Sequence, residues 1–221
     1  MNITTGKVIG YFVSTALCFG CNAQDGIPYQ KGTAFHYKVI ADSAGFELNR
    51  DTLIMEIKGK NFIGALLGFN FVQWSSKTIP SYSEKRGINI EENSVEIQTP
   101  LNVPYMDKEN AVIAPYPSFN DDASINTVFT STHRMALSYG KLAGKTLIQK
   151  STVKDSTQCP YKGEELLCKV REGYNESHQD QYGKYQSITY YHKDYGFVMI
   201  KLIYPNEKEI RFELVEIIRE E

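Results

Sequence analysis

The side chains of this 221-residue chain best suited to chemistry are four histidines, four cysteines and a crowd of tyrosines, and spacing decides what they can do. His36, His133, His178 and His192 lie far apart, and no two share the i, i+2 spacing that sets neighbouring imidazoles on one strand face around a metal ion. They read as isolated strand and loop residues, so no metal site is predicted. Asp121 and Asp122, with Asn120 and Asn126, offer the oxygen ligands that calcium favours. The bidentate glutamate of a calcium loop is missing, and the run reads as a solvated turn. No Gly-x-Ser-x-Gly elbow, phosphate-binding glycine loop, His-Glu-x-x-His helix or dinucleotide fingerprint is present. No catalytic residue and no cofactor are therefore predicted. A hydrolase whose site assembles only in three dimensions stays open as an alternative.

The tyrosines give the remaining candidate site. Tyr174, Tyr182, Tyr185, Tyr190, Tyr191, Tyr195 and Tyr204 crowd the C-terminal part of the chain. Flat rings on one sheet face can stack on sugars or apolar ligands, and Tyr185, Tyr190, Tyr191 and Tyr195 are the candidate ligand-binding residues. The plainer alternative is cross-strand aromatic pairing, which stabilises a sheet by about 0.2–1 kcal/mol per pair. Asn175-Glu176-Ser177 matches a glycosylation sequon, meaningful only in a eukaryotic secretory path.

The cysteines divide by position. Cys18 and Cys21 end an N-terminal segment with the three parts of a secretory signal: a polar start carrying Lys7, an apolar run from Val8 to Gly20, and a small residue at Ala23. The run is shorter than the roughly 18–20 residues a membrane-spanning helix needs, so residues 1–23 read as a cleavable signal. Cys18 and Cys21 also have redox CxxC spacing, but such a pair belongs between a strand and a helix of a folded domain. Cleavage after Ala23 gives a free protein starting at Gln24. The alternative is lipidation of Cys21 as the first residue of a bacterial lipoprotein, where Gly20 suits the preceding position and Cys18 departs from the usual aliphatic. A Gln after the cut resembles exported proteins of the Bacteroidota. Removal of the signal leaves Cys159 and Cys168, which in an oxidising compartment invite a disulfide over Pro160 to Leu167 stabilising the fold by about 2–3 kcal/mol. Free buried thiols are the alternative.

The elements that must position these residues are strands. Fifteen Tyr and eleven Phe against a single Trp favour pleated, half-buried surfaces. Residues 24–32, with Gly26, Pro28 and Gly32, read as a flexible lead-in, and residues 33–221 as a single β-rich domain. Alternation predicts strands over Thr33 to Ala41, Thr52 to Lys58 and the end of Asn61 to Trp74, then an exposed loop over 75–86 and a hairpin over Ile88 to Ile97. Pro104, Pro115 and Pro117 exclude a central strand between Leu101 and Phe119. Further strands are expected at Asn126 to His133, Arg134 to Leu142, Lys145 to Asp155, Gly163 to Glu172, Lys184 to His192, Phe197 to Tyr204 and Ile210 to Ile218. The fold class is mainly β, an antiparallel curved sheet forming a half barrel or sandwich, with at most one or two short helices.

Within Gly144 to Ile217, the strand ending in Cys168-Lys169-Val170, the pair Tyr190-Tyr191 followed by Asp194-Tyr195-Gly196-Phe197-Val198, and the closing strand Phe212-Glu213-Leu214-Val215 resemble bacterial envelope proteins of the lipoprotein-carrier type and related uncharacterised exported families. The resemblance covers about a third of the chain and implies a half barrel around a helix, though no long amphipathic helix is evident. The net charge of −2, which becomes −3 once Lys7 is removed, offers no concentrated positive face, so nucleic acid is excluded as a partner. The expected protein is exported to the periplasm, cell surface or medium. It holds an apolar or glycan ligand on a concave sheet, with lipid, glycan or an envelope protein as partner and a membrane reached only through a lipidated Cys21. A surface or periplasmic interaction protein with no small ligand is the alternative.

Overall fold

The computed structural model describes residues 28–43, 46–60, 70–100, 113–135, 142–205 and 208–219. Residues 1–23, with Cys21, lie outside the described residues. Twelve strands form one antiparallel sheet: β1 (Thr33–Ser43), β2 (Phe46–Gly59), β3 (Asn70–Ser76), β4 (Ser83–Glu91), β5 (Ser94–Ile97), β6 (Ser118–Asn120), β7 (Val128–Arg134), β8 (Thr146–Tyr161), β9 (Glu164–Asn175), β10 (Gln186–His192), β11 (Gly196–Ile203) and β12 (Lys208–Arg219). The one helix among the described residues, α1 (Gln179–Tyr182), is a single turn. The mainly β, curved-sheet reading of the sequence holds.

The strand order β6-β5-β4-β3-β2-β1-β12-β11-β10-β9-β8-β7 makes two meanders that share the β1–β12 pairing and grow outward from it. The two outermost strands are consecutive in sequence, joined by residues 121–127. A flat sheet would set them ~53 Å apart, at about 4.8 Å per strand. Seven extended residues reach only ~24 Å. The sheet must therefore curl until its edges meet.

That meeting is visible in side chains. Phe119 of β6 stacks on Tyr191 of β10 with ring centroids 3.7 Å apart and planes 7° from parallel. The Lys169 ammonium of β9 donates to the Asp121 carbonyl at 3.0 Å and to its carboxylate at 2.5 Å. The Asn120-Asp121-Asp122 turn read from the sequence is thus part of the closing seam: the Asp122 N–H donates to the Asn120 side-chain oxygen at 3.0 Å, and Asn93 donates to the Asp122 carboxylate at 2.7 Å.

The concave face is filled. Tyr37, Trp74 and Phe212 pack with centroids 6.1–6.5 Å apart and are wholly buried, as are Phe35, Leu53, Met55 and Phe197. A bulge between Tyr190 and Tyr191 skips Val198 and leaves Phe197 opposite Tyr191. The Phe197 N–H donates to the Tyr29 hydroxyl at 2.8 Å, and its carbonyl accepts from the Tyr37 hydroxyl at 3.1 Å. Tyr29 belongs to the stretch expected to be a flexible lead-in, yet it is buried against Phe35 and Phe197. Gly196, at φ +74°, is what lets its ring approach the β10–β11 turn.

Several expectations change. Of the loop expected over 75–86, residues 77–82 connect β3 to β4, while residues 83–86 belong to β4, where Lys85 pairs with Gln73 and Arg86 with Val72. Of the stretch 101–119, residues 101–112 with Pro104 lie outside the described residues; after Pro115 and Pro117 the strand β6 spans three residues at the sheet margin. Of the strand expected over Arg134 to Leu142, residues 136–141 lie outside the described residues; the Met135 N–H donates to the Lys145 carbonyl at 2.9 Å and the Met135 carbonyl accepts the Gly144 N–H at 3.1 Å. Strand β8 runs six residues past Asp155, because β7 stops pairing at Thr152 and leaves its distal half with a free side that accommodates Pro160.

Candidate functional site

The tyrosines singled out from the sequence do not share a surface. Tyr185 and Tyr191 point into the concave side from opposite ends of β10, Tyr185 edge-on to Tyr204 at 5.6 Å and Tyr191 edge-on to Phe197 at 5.3 Å. Tyr190 is half-buried on the other face, and Tyr195 leans on Tyr161 and His192 at the β10–β11 turn. Each is engaged in an aromatic or core contact rather than presented as a platform.

Cys159 and Cys168 are free, buried thiols, so the disulfide expected between them is not formed. Register explains this: Cys159 faces Leu166 and Cys168 faces Thr157, which makes the cysteines diagonal neighbours across β8 and β9. Diagonal pairs lie about 7–8 Å apart, whereas a disulfide holds Cβ atoms near 4 Å. The Cys168 thiol instead hydrogen-bonds Cys159, which lowers the Cys159 pKa and raises that of Cys168.

The histidines stay separate. Burial lowers the pKa of His36, whose Nδ1 is 3.2 Å from the Glu216 carboxylate. His178 lies 3.0 Å from the Thr146 carbonyl through Nε2, and His192 Nδ1 accepts the Asp194 N–H at 3.2 Å. Among the described residues no group of three or more His, Cys, Asp and Glu is placed to hold a metal ion.

Where the sheet margins meet, a small charged cluster lies between the layers. Val95 and Ile97 face the core, which turns Glu96 to the opposite side of β5, toward His133 of β7 and Arg171 of β9. Arg171 donates from Nε to the Ser151 hydroxyl at 2.8 Å, its guanidinium lies 4.2 Å from the Phe129 ring centroid, and burial lowers its pKa to about 10. Burial raises the Glu96 pKa against the pull of His133 and Arg171. His133 lies 3.2 Å from the Ser131 hydroxyl and edge-on to Tyr116.

Among the described residues, an open concavity lies on the outer face, across β8, β9 and β10. It is a groove of about 280 Å³ lined by Thr152, Lys154, Glu172, Gly173, Tyr174, Lys184, Gln186, Ser187 and Ile188. Strand register builds it. Thr152 pairs with Glu172, Glu172 with Ile188, and Tyr174 with Gln186, so alternation carries these side chains outward together. Lys154 and Glu172 form an ion pair at 3.3 Å.

Lys184 comes from outside the strands, and Asn175 positions it. The Asn175 side chain is fully buried, donates to the Ser177 and Gly183 carbonyls at 3.1 Å each, and accepts the Tyr185 N–H at 2.7 Å. These bonds clamp the segment 176–185 so that the Lys184 ammonium sits 5.1 Å over the Tyr174 ring. The sequon asparagine is thus an internal staple. The sequence reading named Tyr174 among the crowd without selecting it and passed over Lys184. The outward alternation of Glu172, Tyr174, Gln186 and Ile188 was the available signal.

No family model matches the chain, and no curated protein matches it. Several solved structures are similar in fold at low identity. A Bacteroides fragilis protein with a YmcC-like fold is 10% identical with a TM-score of 0.45, the match covering 88% of this chain and 99% of that one. A β-barrel-like protein of a domain of unknown function from Brucella abortus is 8% identical with a TM-score of 0.43, covering 84% and 96%. The hypothetical lipoprotein YmcC from Escherichia coli is 9% identical with a TM-score of 0.42, covering 86% and 88%.

Proposed function

We propose that the chain is an exported binding protein that holds a saccharide in the outer groove of β8–β10. The observation that carries this reading is the groove's mixed lining. Tyr174 and Ile188 supply apolar surface beside the hydroxyl of Thr152, the amide of Gln186 and charges of both signs. A sugar ring presents the same mixture, with C–H faces for an aromatic ring and a rim of hydroxyls for fixed polar groups. An apolar lipid would leave those polar groups unpaired. The concave face that the sequence offered as the ligand surface is taken by Tyr37, Trp74, Phe197 and Phe212, which also speaks against lipid carriage.

The test is a binding screen of the protein lacking residues 1–23 against neutral and charged oligosaccharides, followed by Tyr174→Ala. Saccharide binding that Tyr174→Ala weakens at least tenfold is expected. Binding indifferent to that change would exclude the groove. A second reading, an envelope interaction protein without a small ligand, draws on the outer strand β7, beside which Ile125 and Val128 are 54% and 58% exposed. Export itself is part of the proposal and rests on residues 1–23, with the membrane reached only if Cys21 carries lipid.

A further inference from the structure

We infer that the saccharide held in the groove is acidic and that its carboxylate is received by Lys184. This inference rests on the groove being a saccharide site.

Charge accounting around the groove carries it. Of the two lysines that line the groove, Lys154 is paired with Glu172 at 3.3 Å, and Lys150 beside it on β8 with Glu176 at 2.9 Å. The other lining lysine, Lys184, is exposed and has only the Tyr174 ring beneath it among the described residues. An ammonium over an aromatic face is attracted by the ring quadrupole, but this leaves its N–H donors to water. The groove therefore presents one uncompensated positive charge directly above its aromatic wall.

A carboxylate attached to a sugar ring meets both features at once. The ring lies along Tyr174 and Ile188, and the carboxylate reaches Lys184 through a charge-assisted hydrogen bond. Glu172, on the Lys154 side, repels a carboxylate and so orients the ligand with its acid toward Lys184 and Gln186. The Asn175 clamp fixes the backbone on both sides of Lys184, which limits the ordering cost of that contact. Nucleic acid fits poorly, because one uncompensated cation in the groove, on a chain of net charge −2, does not make the basic surface that phosphate tracking requires.

The experiment titrates the protein lacking residues 1–23 with oligogalacturonate, with its methyl ester as the neutral counterpart, and with an acidic Asp-Ser repeat peptide. Wild type is compared with Lys184→Gln and Tyr174→Ala. The acid is expected to bind about tenfold more tightly than the ester, the advantage one charge-assisted hydrogen bond gives, and to weaken as salt is raised. Lys184→Gln, an exposed change that leaves the fold intact, should bring the acid down to the ester's affinity and weaken the ester far less than the acid. Equal binding of acid and ester, both lost in Tyr174→Ala, would overturn the acidic assignment while the saccharide site stands. Binding of neither sugar, or tighter binding of the peptide than of the acid, would overturn both.

Discussion

Gly196→Ala should be among the most damaging single-methyl changes available in this protein, and its cost can be worked from the packing of Tyr29. At φ +74° an alanine pays the left-handed penalty of about 1–2 kcal/mol. The added Cβ would also stand 2.4 Å from the Tyr29 hydroxyl and 2.7 Å from its ring carbon, where ordinary contact begins at 3.4 Å. The ring must withdraw, and the Phe197 N–H that donates to it at 2.8 Å is left buried without a partner. That loss costs a further ~1–3 kcal/mol, for a total near 4 kcal/mol. Equilibrium urea unfolding gives the number, and a double-mutant cycle gives the cause. In a Tyr29→Ala background only Pro28 Cγ, at 3.2 Å, stays close to the added methyl, so Gly196→Ala should cost little beyond the backbone penalty of about 1–2 kcal/mol. A cost below about 1 kcal/mol in wild type, or the same cost in both backgrounds, would refute the argument that Tyr29 is a core residue set in place by Gly196.

Two further outcomes can be measured on the same protein. Burial raises the Glu96 pKa in the folded state, so the fold gains stability while this group is protonated, below its unfolded pKa near 4.3, and loses that gain as pH rises through the folded value. Glu96→Gln should therefore flatten the decline in stability between pH 4 and 7 without destabilising the protein at pH 7. A loss at pH 7 that vanishes at pH 4 would mean that attraction to Arg171 and His133 outweighs burial. Asn175→Ala leaves the Tyr185 N–H and the Ser177 and Gly183 carbonyls short of partners and should cost about 1–3 kcal/mol in thermal or urea unfolding. It should also weaken binding of the acidic saccharide, since Lys184 loses its support. Unchanged binding in a folded Asn175→Ala protein would remove the clamp from the account.

Many strands were legible in the sequence because one face is more deeply buried than the other. Leu53, Met55 and Ile57 are buried and alternate with the part-exposed Thr52, Ile54 and Glu56, and Tyr37 and Val39 flank the part-exposed Lys38. Where that contrast fails, so does the reading. Ser83 to Arg86, and Thr157, Gln158 and Pro160 of β8, are strand residues with polar or exposed side chains, held by backbone pairing that leaves no mark on composition. Closure was equally hidden: nothing local tells Phe119 that it meets Tyr191, 72 positions away. The candidate site suffered from the same gap. The sequence identified a tyrosine-rich region but not which rings point outward. Tyr185 and Tyr191 looked equivalent to Tyr174 until register set them on the concave side. Asn175 carried a misleading pattern, because a sequon and a buried staple can share three residues.

The central claim is that a saccharide occupies the β8–β10 groove. Amide chemical-shift mapping of the isotopically labelled protein during oligosaccharide titration tests it most directly. The account predicts saturable shifts concentrated at Glu172, Tyr174, Lys184, Gln186 and Ile188, with the core strands around Tyr37 and Trp74 unmoved. Shifts confined to the β7 margin, to the concave core or to no residue at all would contradict it.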